Sequence, residues 1–443
     1  MELSSLAEIM KKNGVVGAGG AGFPSYAKLD KKADTLILNC AECEPLFKVH
    51  RQVLASYAKE ILFALDEISK AIGAKEVIIA VKGSYKNTLL ALDEYIGKYT
   101  NFTIKKLPEI YPAGDEVITT YEATGRVVPP GKIPITVGVI VYNVETMLNT
   151  YYALKSGKPV TTKYVTVAGE VKNPQTFVVP VGTRFSELIE LAGGETVKDA
   201  AYLNGGVMTG KLANPNDVVT KTTNAILVMP KDHAVVSKRL TKTKIALTRA
   251  KGTCCQCRMC TDLCPRHLLG HPIEPHQFMR AAANGDTKDI NAFVNTLYCS
   301  SCGLCEMYSC GQLLSPRSLI DECKNGLKAN GYKPDKEPVF NEVAPAREYR
   351  KVPMKRLITR LGLQKYNVSA PIAEGIVEPI KVKIMLSQHI GAPAVAVVKP
   401  GDKVECGQMI ATVGDKLGAD IHSSINGVVE EVENGYILIE RTN

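Results

Sequence analysis

The sequence predicts a multidomain protein in which an α/β domain, a small α+β unit, a cysteine-rich helical module and an all-β unit follow one another. Three observations carry this. Apolar strands alternate with amphipathic helices as far as about residue 156, two dense cysteine runs lie at 254–264 and 299–310, and short strands punctuated by Gly-Asp and Asn-Gly turns occupy the C-terminal part. The expected boundaries are 1–158, 159–232, 245–335 and 366–443, and 443 residues suffice for about three or more compact domains.

Leu3, Leu6, Ile9 and Met10 recur at helical spacing, so residues 3–12 form a helix with one face to bury. The next stretch, G-V-V-G-A-G-G-A-G-F-P-S-Y-A-K, satisfies G-x-G-x-x-G literally through Gly17, Gly19 and Gly22, but a charged helix, not a strand, precedes it. That disfavours an ordinary dinucleotide fingerprint. What remains is a backbone that can approach a phosphate closely, with Lys28 as a counter-charge.

T-L-I-L-N-C-A-E-C-E-P reads as a buried strand, 35–38, opening onto a loop with Asn39, Glu42 and Glu44. A helix over 53–71, the strand E-V-I-I-A-V and a helix over 86–97 follow. Y-P-A-G-D-E at 111–116 forms another polar loop, and I-T-V-G-V-I-V-Y-N-V-E-T ends a strand at Asn143, with Thr146 beyond it. Open α/β sheets bind ligands at the C-terminal ends of their strands, where these polar sets fall. Cys40 and Cys43 read as small buried residues, since a lone C-x2-C is poor evidence for a metal.

Residues 162–230 alternate as strands around one helix, F-S-E-L-I-E-L-A-G-G, the pattern of a small β-grasp unit containing the glycine loop G-G-V-M-T-G at 205–210. The C-terminal unit, with P-G-D-K-V and I-N-G-V-V-E-E-V, reads as a barrel-sandwich hybrid.

Cys254, Cys257, Cys260 and Cys264 stand in C-x2-C-x2-C-x3-C-P, and Cys299, Cys302, Cys305 and Cys310 repeat it with one extra residue and no proline. Eight thiolates hold two 4Fe-4S clusters. Three closely spaced cysteines wrap one corner of a cube while the fourth lies too far along, so the runs cross. Cys254, Cys257, Cys260 and Cys310 are expected on one cluster, and Cys299, Cys302, Cys305 and Cys264 on the other. Cys255 is left over. Zinc favours C-x2-C pairs and disulfides favour secreted chains, which disfavours both. P-I-E-P-H-Q-F-M-R-A-A-A-N-G at 272–285 and D-I-N-A-F-V-N-T-L-Y at 289–298 carry apolar positions at helical spacing, so two short helices separate the runs.

No apolar run approaches the roughly 20 residues that span a bilayer, so the chain is not expected to be integral to a membrane. The N-terminus has no stretch of signal-peptide character, and thirteen cysteines fit metal clusters in a reducing cytoplasm. The net charge of +9 lies largely in linker-like stretches without interleaved aromatics, so nucleic acid is not an expected partner.

G-A-G-G-A-G-F-P-S-Y-A-K, N-C-A-E-C-E-P, Y-P-A-G-D-E and Y-N-V-E-T resemble the FMN- and NADH-binding motifs of the flavin subunit of respiratory complex I and of RnfC, with N-C-A-E-C-E-P nearer to RnfC. The resemblance implies a Rossmann-like FMN-binding domain, a β-grasp domain of the SLBB type, a two-cluster ferredoxin-like module and an RnfC-like barrel-sandwich hybrid. It implies that Gly17, Gly19 and Lys28 hold the FMN phosphate, with Gly20 in the same loop. Asn39 and Glu42 would hold the flavin and ribityl groups, with Asn143 and Thr146 on the far side of the pocket. Asp115 and Glu116 would line the flavin and nicotinamide face, beside Tyr111 and Gly114, Glu44 would complete the strand-end loop, and Phe23 would stack on the nucleotide. Where complex I has an acid between the Asn and the first Glu of its loop, this chain has Ala41.

In RnfC the barrel sandwich is N-terminal, whereas here it is C-terminal, an order that resembles the PduS-type cobalamin reductases. That implies NADH as donor, FMN and two 4Fe-4S clusters as carriers, and a corrinoid or a corrinoid-handling protein as acceptor. It also raises other redox proteins and a bacterial microcompartment shell as partners, and a cytoplasmic location that includes the microcompartment. The alternatives are an RnfC-type protein feeding a membrane complex and an iron-sulfur scaffold without turnover.

Overall fold

Four parallel strands form the first sheet, in the order Phe102–Leu107, Glu76–Lys82, Thr35–Cys40, Val139–Asn143, in a computed structural model that describes residues 1–334 and 337–442. The expected boundaries at 335 and 443 lie outside the described residues. Three of the strands are near-continuous apolar runs because both faces are covered, whereas Phe102–Leu107 at the edge exposes Thr103, Lys105 and Lys106. Leu36, Leu38, Ile79 and Ile140 meet the helices Ala58–Ile72 and Val144–Ser156 in one core, and Ile37, Ile78, Ala80 and Val141 meet Leu107 and Ala113 in another. The helix Leu3–Lys12 buries Leu6 and Met10 in the first of these.

From Thr35–Cys40 the chain moves outward through two strands and then returns to the opposite side for Val139–Asn143. The strand order therefore reverses between Thr35–Cys40 and the edge strand Val139–Asn143, and such a switch point leaves a crevice at the strand ends. The helix expected over 53–71 is two helices, Val49–Ser56 and Ala58–Ile72, broken at Tyr57, where φ is −130°. The first starts early because the Glu42 carboxylate accepts the free N–H groups of His50 and Arg51 at its N-terminus.

The β-grasp unit is a six-stranded sheet in the order Ile372–Ile376, Gln175–Pro180, Thr162–Gly169, Ala225–Pro230, Ala200–Asn204, Lys211–Ala213, with the helix Phe185–Leu191 packing Phe185 and Leu188 onto Val165, Val179 and Ile226. Ile372–Ile376, which the sequence groups with the C-terminal unit, adds in parallel to Gln175–Pro180. The C-terminal unit itself has two small sheets, one of Lys381–Met385, Tyr436–Arg441, Gly427–Glu433 and Lys403–Val404, the other of Val395–Ala396, Met409–Thr412 and Ile421–His422. They enclose a core that includes Val382, Ile410 and Ile439.

Between the cysteine runs lie the helices Pro275–Asn284 and Ile290–Val294 that the spacing predicts, and Phe278 and Phe293 pack edge to face with ring centroids 5.8 Å apart. After the long helix Pro316–Ala329 the chain turns back. Val352–Pro353 pairs antiparallel with Ile110–Tyr111, and the helix Met354–Arg360 follows. One further core thereby gathers Tyr111 from the first domain, Val207 and Met208 from the β-grasp glycine loop, Leu304 from the second cysteine run, and Leu357. That shared core fixes the strand-end loops of the first domain against the cysteine module.

Candidate functional site

Asn39, next to last in Thr35–Cys40, and Asn143, last in the adjacent edge strand Val139–Asn143, stand opposite each other in register, at the point where the strand order reverses. Asn39 Nδ2 donates to the Gly114 carbonyl at 2.9 Å, and Asn39 Oδ1 accepts from Ala41 N at 3.0 Å, so this side chain ties N-C-A-E-C-E-P to Y-P-A-G-D-E. Asn143 caps the helix Val144–Ser156 by accepting from Glu145 N at 2.9 Å. Its amide lies 3.3 Å from His50 Nδ1. Burial lowers the His50 pKa.

The glycine loop lies across this crevice. Ala18 N donates to the buried Thr146 hydroxyl at 2.9 Å, and Gly17 N to the Phe23 carbonyl at 2.9 Å. A Cβ on Gly19 would come within 2.4 Å of Asn143 Nδ2, so only glycine allows the approach. Gly20 beside it is exposed and meets nothing. Lys28 donates to Glu116 Oε1 at 2.7 Å and to the Val141 carbonyl at 2.9 Å. An exposed glycine backbone, a helix N-terminus and a lysine thus converge on one crevice, a cradle that fits the phosphate of a flavin nucleotide.

Two expected acids are engaged by the protein itself. Glu42 accepts from Arg51 Nε at 2.9 Å, and although its burial opposes ionisation, Arg51 and His50 hold its pKa below the usual range. Glu44 reaches into the β-grasp glycine loop, accepting from Met208 N at 2.9 Å and Thr209 N at 2.8 Å, while burial pushes its carboxyl upward. A Cβ on Gly206 would fall 2.0 Å from the Glu44 carboxylate. The motif glutamate therefore docks the second domain onto the first.

Asp115 caps the helix Glu116–Thr124 and also forms an ion pair with Arg266 at 2.8 Å, two residues beyond Cys264. Tyr111 donates its hydroxyl to the Cys302 carbonyl at 2.5 Å. Both contacts join the flavin-side loop to the expected Cys264, Cys299, Cys302 and Cys305 group. Phe23 is half-buried at the loop's end.

The two cysteine runs fold alike. Gln256 and Arg258 in the first have φ of 53° and 65°, and Ser301 and Gly303 at the matching positions of the second have 58° and 79°. These left-handed residues curl the backbone around its sulfurs. Ser301 N donates to Cys299 Sγ at 3.3 Å, and Leu314 N to Cys310 Sγ at 3.3 Å. The extra residue of the second run is taken up by a π-helical turn, Cys305–Ser309, where the first run has an α-helical turn, Met259–Asp262.

Cys254, Cys257, Cys260 and Cys310 line one cavity together with Met279 and Leu314, and Cys255 lines it too. Burial pushes the Cys264 thiol up to about 12 and raises Cys302, with Cys264 and Cys299 adding to the latter shift. Burial raises Cys305 in turn, with Cys299, Cys302 and Cys264 adding to that shift, so the thiols of each expected group of four lie near one another, the kind of donor set a 4Fe-4S cluster takes.

Sequence reasoning passed over His50, Arg51, Lys82 and Arg266. Lys82 is 2% exposed at a strand end and donates to the Glu42 carbonyl at 2.9 Å, while Arg51 stacks 3.9 Å over the Tyr85 ring. No spacing marks them, although a lysine closing an apolar strand is itself a signal.

Fold and site define a class, the flavin- and iron-sulfur-dependent oxidoreductases. Residues 10–152 match the Nuo51 FMN-binding domain, 164–212 the SLBB domain, 253–315 the 4Fe-4S dicluster domain and 363–441 the RnfC barrel sandwich hybrid domain. The cobalamin reductase PduS of Citrobacter freundii is 41% identical over 99% of this chain and 97% of its own. That of Salmonella typhimurium is 41% identical over 100% and 98%. The chain belongs to this PduS family. One component of the Na(+)-translocating ferredoxin:NAD(+) oxidoreductase complex of Acetobacterium woodii is 32% identical over 60% of this chain and 59% of the relative. Among the described residues, no helix is long and apolar enough to cross a membrane.

Proposed function

We propose that this chain oxidises NADH at the strand-order switch and delivers the electrons to a corrinoid, as the name of the cobalamin reductases says of those relatives. When bound, FMN takes up two electrons as a hydride and the clusters carry electrons one at a time. The protein positions these groups. Gly17, Gly19, Gly20 and Lys28 receive the phosphate, Asn39, Asn143 and Thr146 frame the flavin side of the crevice, and the half-exposed Glu116 borders the entry for the nicotinamide. The observation that carries this reading is the pair of contacts from the flavin-side loop, Tyr111 to Cys302 and Asp115 to Arg266, which puts the Cys264, Cys299, Cys302 and Cys305 group next to the crevice. The Cys254, Cys257, Cys260 and Cys310 group then lies further along the route. A cytoplasmic place of action, including the interior of a bacterial microcompartment, is part of the same proposal, and the similarity to PduS supports it.

The test is anaerobic reconstitution with iron, sulfide and FMN. FMN released on denaturation, NADH-driven bleaching of cluster absorbance and reduction of a cob(III)alamin support the proposal. Gly19→Val should expel the flavin and leave the iron content unchanged, because the cysteine ligands all lie at or beyond Cys254. A wild type that takes up clusters but binds no flavin overturns it.

A further inference from the structure

The Cys254, Cys257, Cys260 and Cys310 group faces solvent, with Cys257 exposed, whereas Cys305 of the other group is buried. Two unusually cationic stretches converge on it. Residues 233–261 contain seven lysines and arginines and no aspartate or glutamate, and residues 349–373 contain six and none. Lys238 donates to the Leu313 carbonyl and, at 3.0 Å, to that of Leu314, while Arg360 Nη2 donates to the Cys310 carbonyl at 3.4 Å. Lys355, Arg356 and Arg360 line an open groove beside Tyr308. Arg249 is close enough to Lys238 to add to the lowering of its pKa, which burial dominates.

Among the described residues, none of Lys238, Arg249, Lys251, Lys355, Arg356 and Arg360 is in an ion pair. The nearby carboxylate of Glu306 is buried and occupied by the Ser318 N–H and hydroxyl. Leu240, 54% exposed, stands in the first of the two cationic stretches, and Leu313, 51% exposed, in the loop that follows Cys310.

We propose that this cationic face is the docking surface for an acidic protein that takes electrons from the Cys310-side cluster. Cations left unpaired around exposed apolar residues, in an open groove and not an enclosed pocket, are the composition of a steered protein interface. In each transfer the cluster loses one electron and the partner's redox centre gains one, with no atom exchanged. The inference rests on the proposed electron-transfer function.

The probe is an acidic flavodoxin, titrated in its oxidised form against the full-length reconstituted protein. Binding should weaken about tenfold or more between low and physiological ionic strength, because exposed charges are screened over a Debye length. The triple variant R249E/K355E/R356E should lose a similar factor at low salt. The variant K98E/K105E/K106E, with the same net charge but its changes on or near the edge strand Phe102–Leu107, should retain binding within about threefold. Electron delivery to flavodoxin from photochemically reduced protein should fall in parallel with binding. Salt-independent binding, equal losses in the two triple variants, or no binding at all overturns the proposal. Since reduction here bypasses NADH, a protein that binds and reduces flavodoxin but fails to oxidise NADH counts against the function proposed above and supports this surface.

Discussion

The hydroxyl of Tyr111 donates to the main-chain carbonyl of Cys302, one hydrogen bond that spans 191 residues and connects a flavin-side loop to an expected cluster ligand. Burial pushes the Tyr111 phenol well above its ordinary value, so it remains a donor throughout the working pH range. Tyr111→Phe removes the bond and leaves a buried carbonyl with one partner fewer, a loss of about 1 kcal/mol. FMN retention and iron content should be unchanged, and NADH-driven bleaching of the clusters, followed by stopped-flow absorbance, should slow several-fold. An unchanged bleaching rate would mean that the bond holds the domains together without setting the transfer geometry.

Cluster assignment is open to a count of iron. With about eight irons in the wild type, Cys310→Ala should leave about four, and Cys255→Ala about eight. Combining Cys310→Ala with Cys257→Ala should lose no more iron than the single change, since both belong to one cluster. Combining it with Cys302→Ala should remove both clusters. The reverse pattern would mean that Cys310 serves the Cys299, Cys302 and Cys305 group.

Lys221 predicts a pH dependence of stability. It is 2% exposed, donates to the Gly14 carbonyl at 2.9 Å and the Asp420 carbonyl at 3.0 Å, and burial draws its pKa down to about 7. The unfolded chain keeps the ordinary lysine value of about 10.4. Between these values the unfolded state binds the extra proton, so stability rises as pH increases from about 7 to about 10, and below pH 7 both states are protonated and the slope vanishes. Lys221→Met should flatten that rise in a plot of Tm against pH, and an equally steep plot for the variant would show that other groups cause it.

Motif chemistry was legible wherever it follows chain spacing. The two cysteine runs, the glycine loop, Asn39 and Asn143 were all visible, because ligand spacing and strand-end placement are local properties. Glu44 shows the limit. Its motif position suggests a cofactor, yet the carboxylate is taken by Met208 and Thr209, an outcome set by a glycine loop more than 160 residues away. The break at Tyr57 and the strand Ile372–Ile376 joining the β-grasp sheet were equally hidden, since both depend on partners distant in sequence.

The sequence by itself determined most of the elements, which cysteines are available and where the glycine backbone is free to approach a ligand, since strand alternation, glycine freedom and thiol spacing are written in neighbouring residues. Only the tertiary structure decided which cysteine group adjoins the flavin-side loop. That choice depends on Arg266 meeting Asp115 and on Leu304, Met208 and Leu357 packing around Tyr111. The physical reason is that a buried apolar core and a partly buried ion pair form only when segments far apart in the chain supply their partners together, and no local pattern records which segments those are.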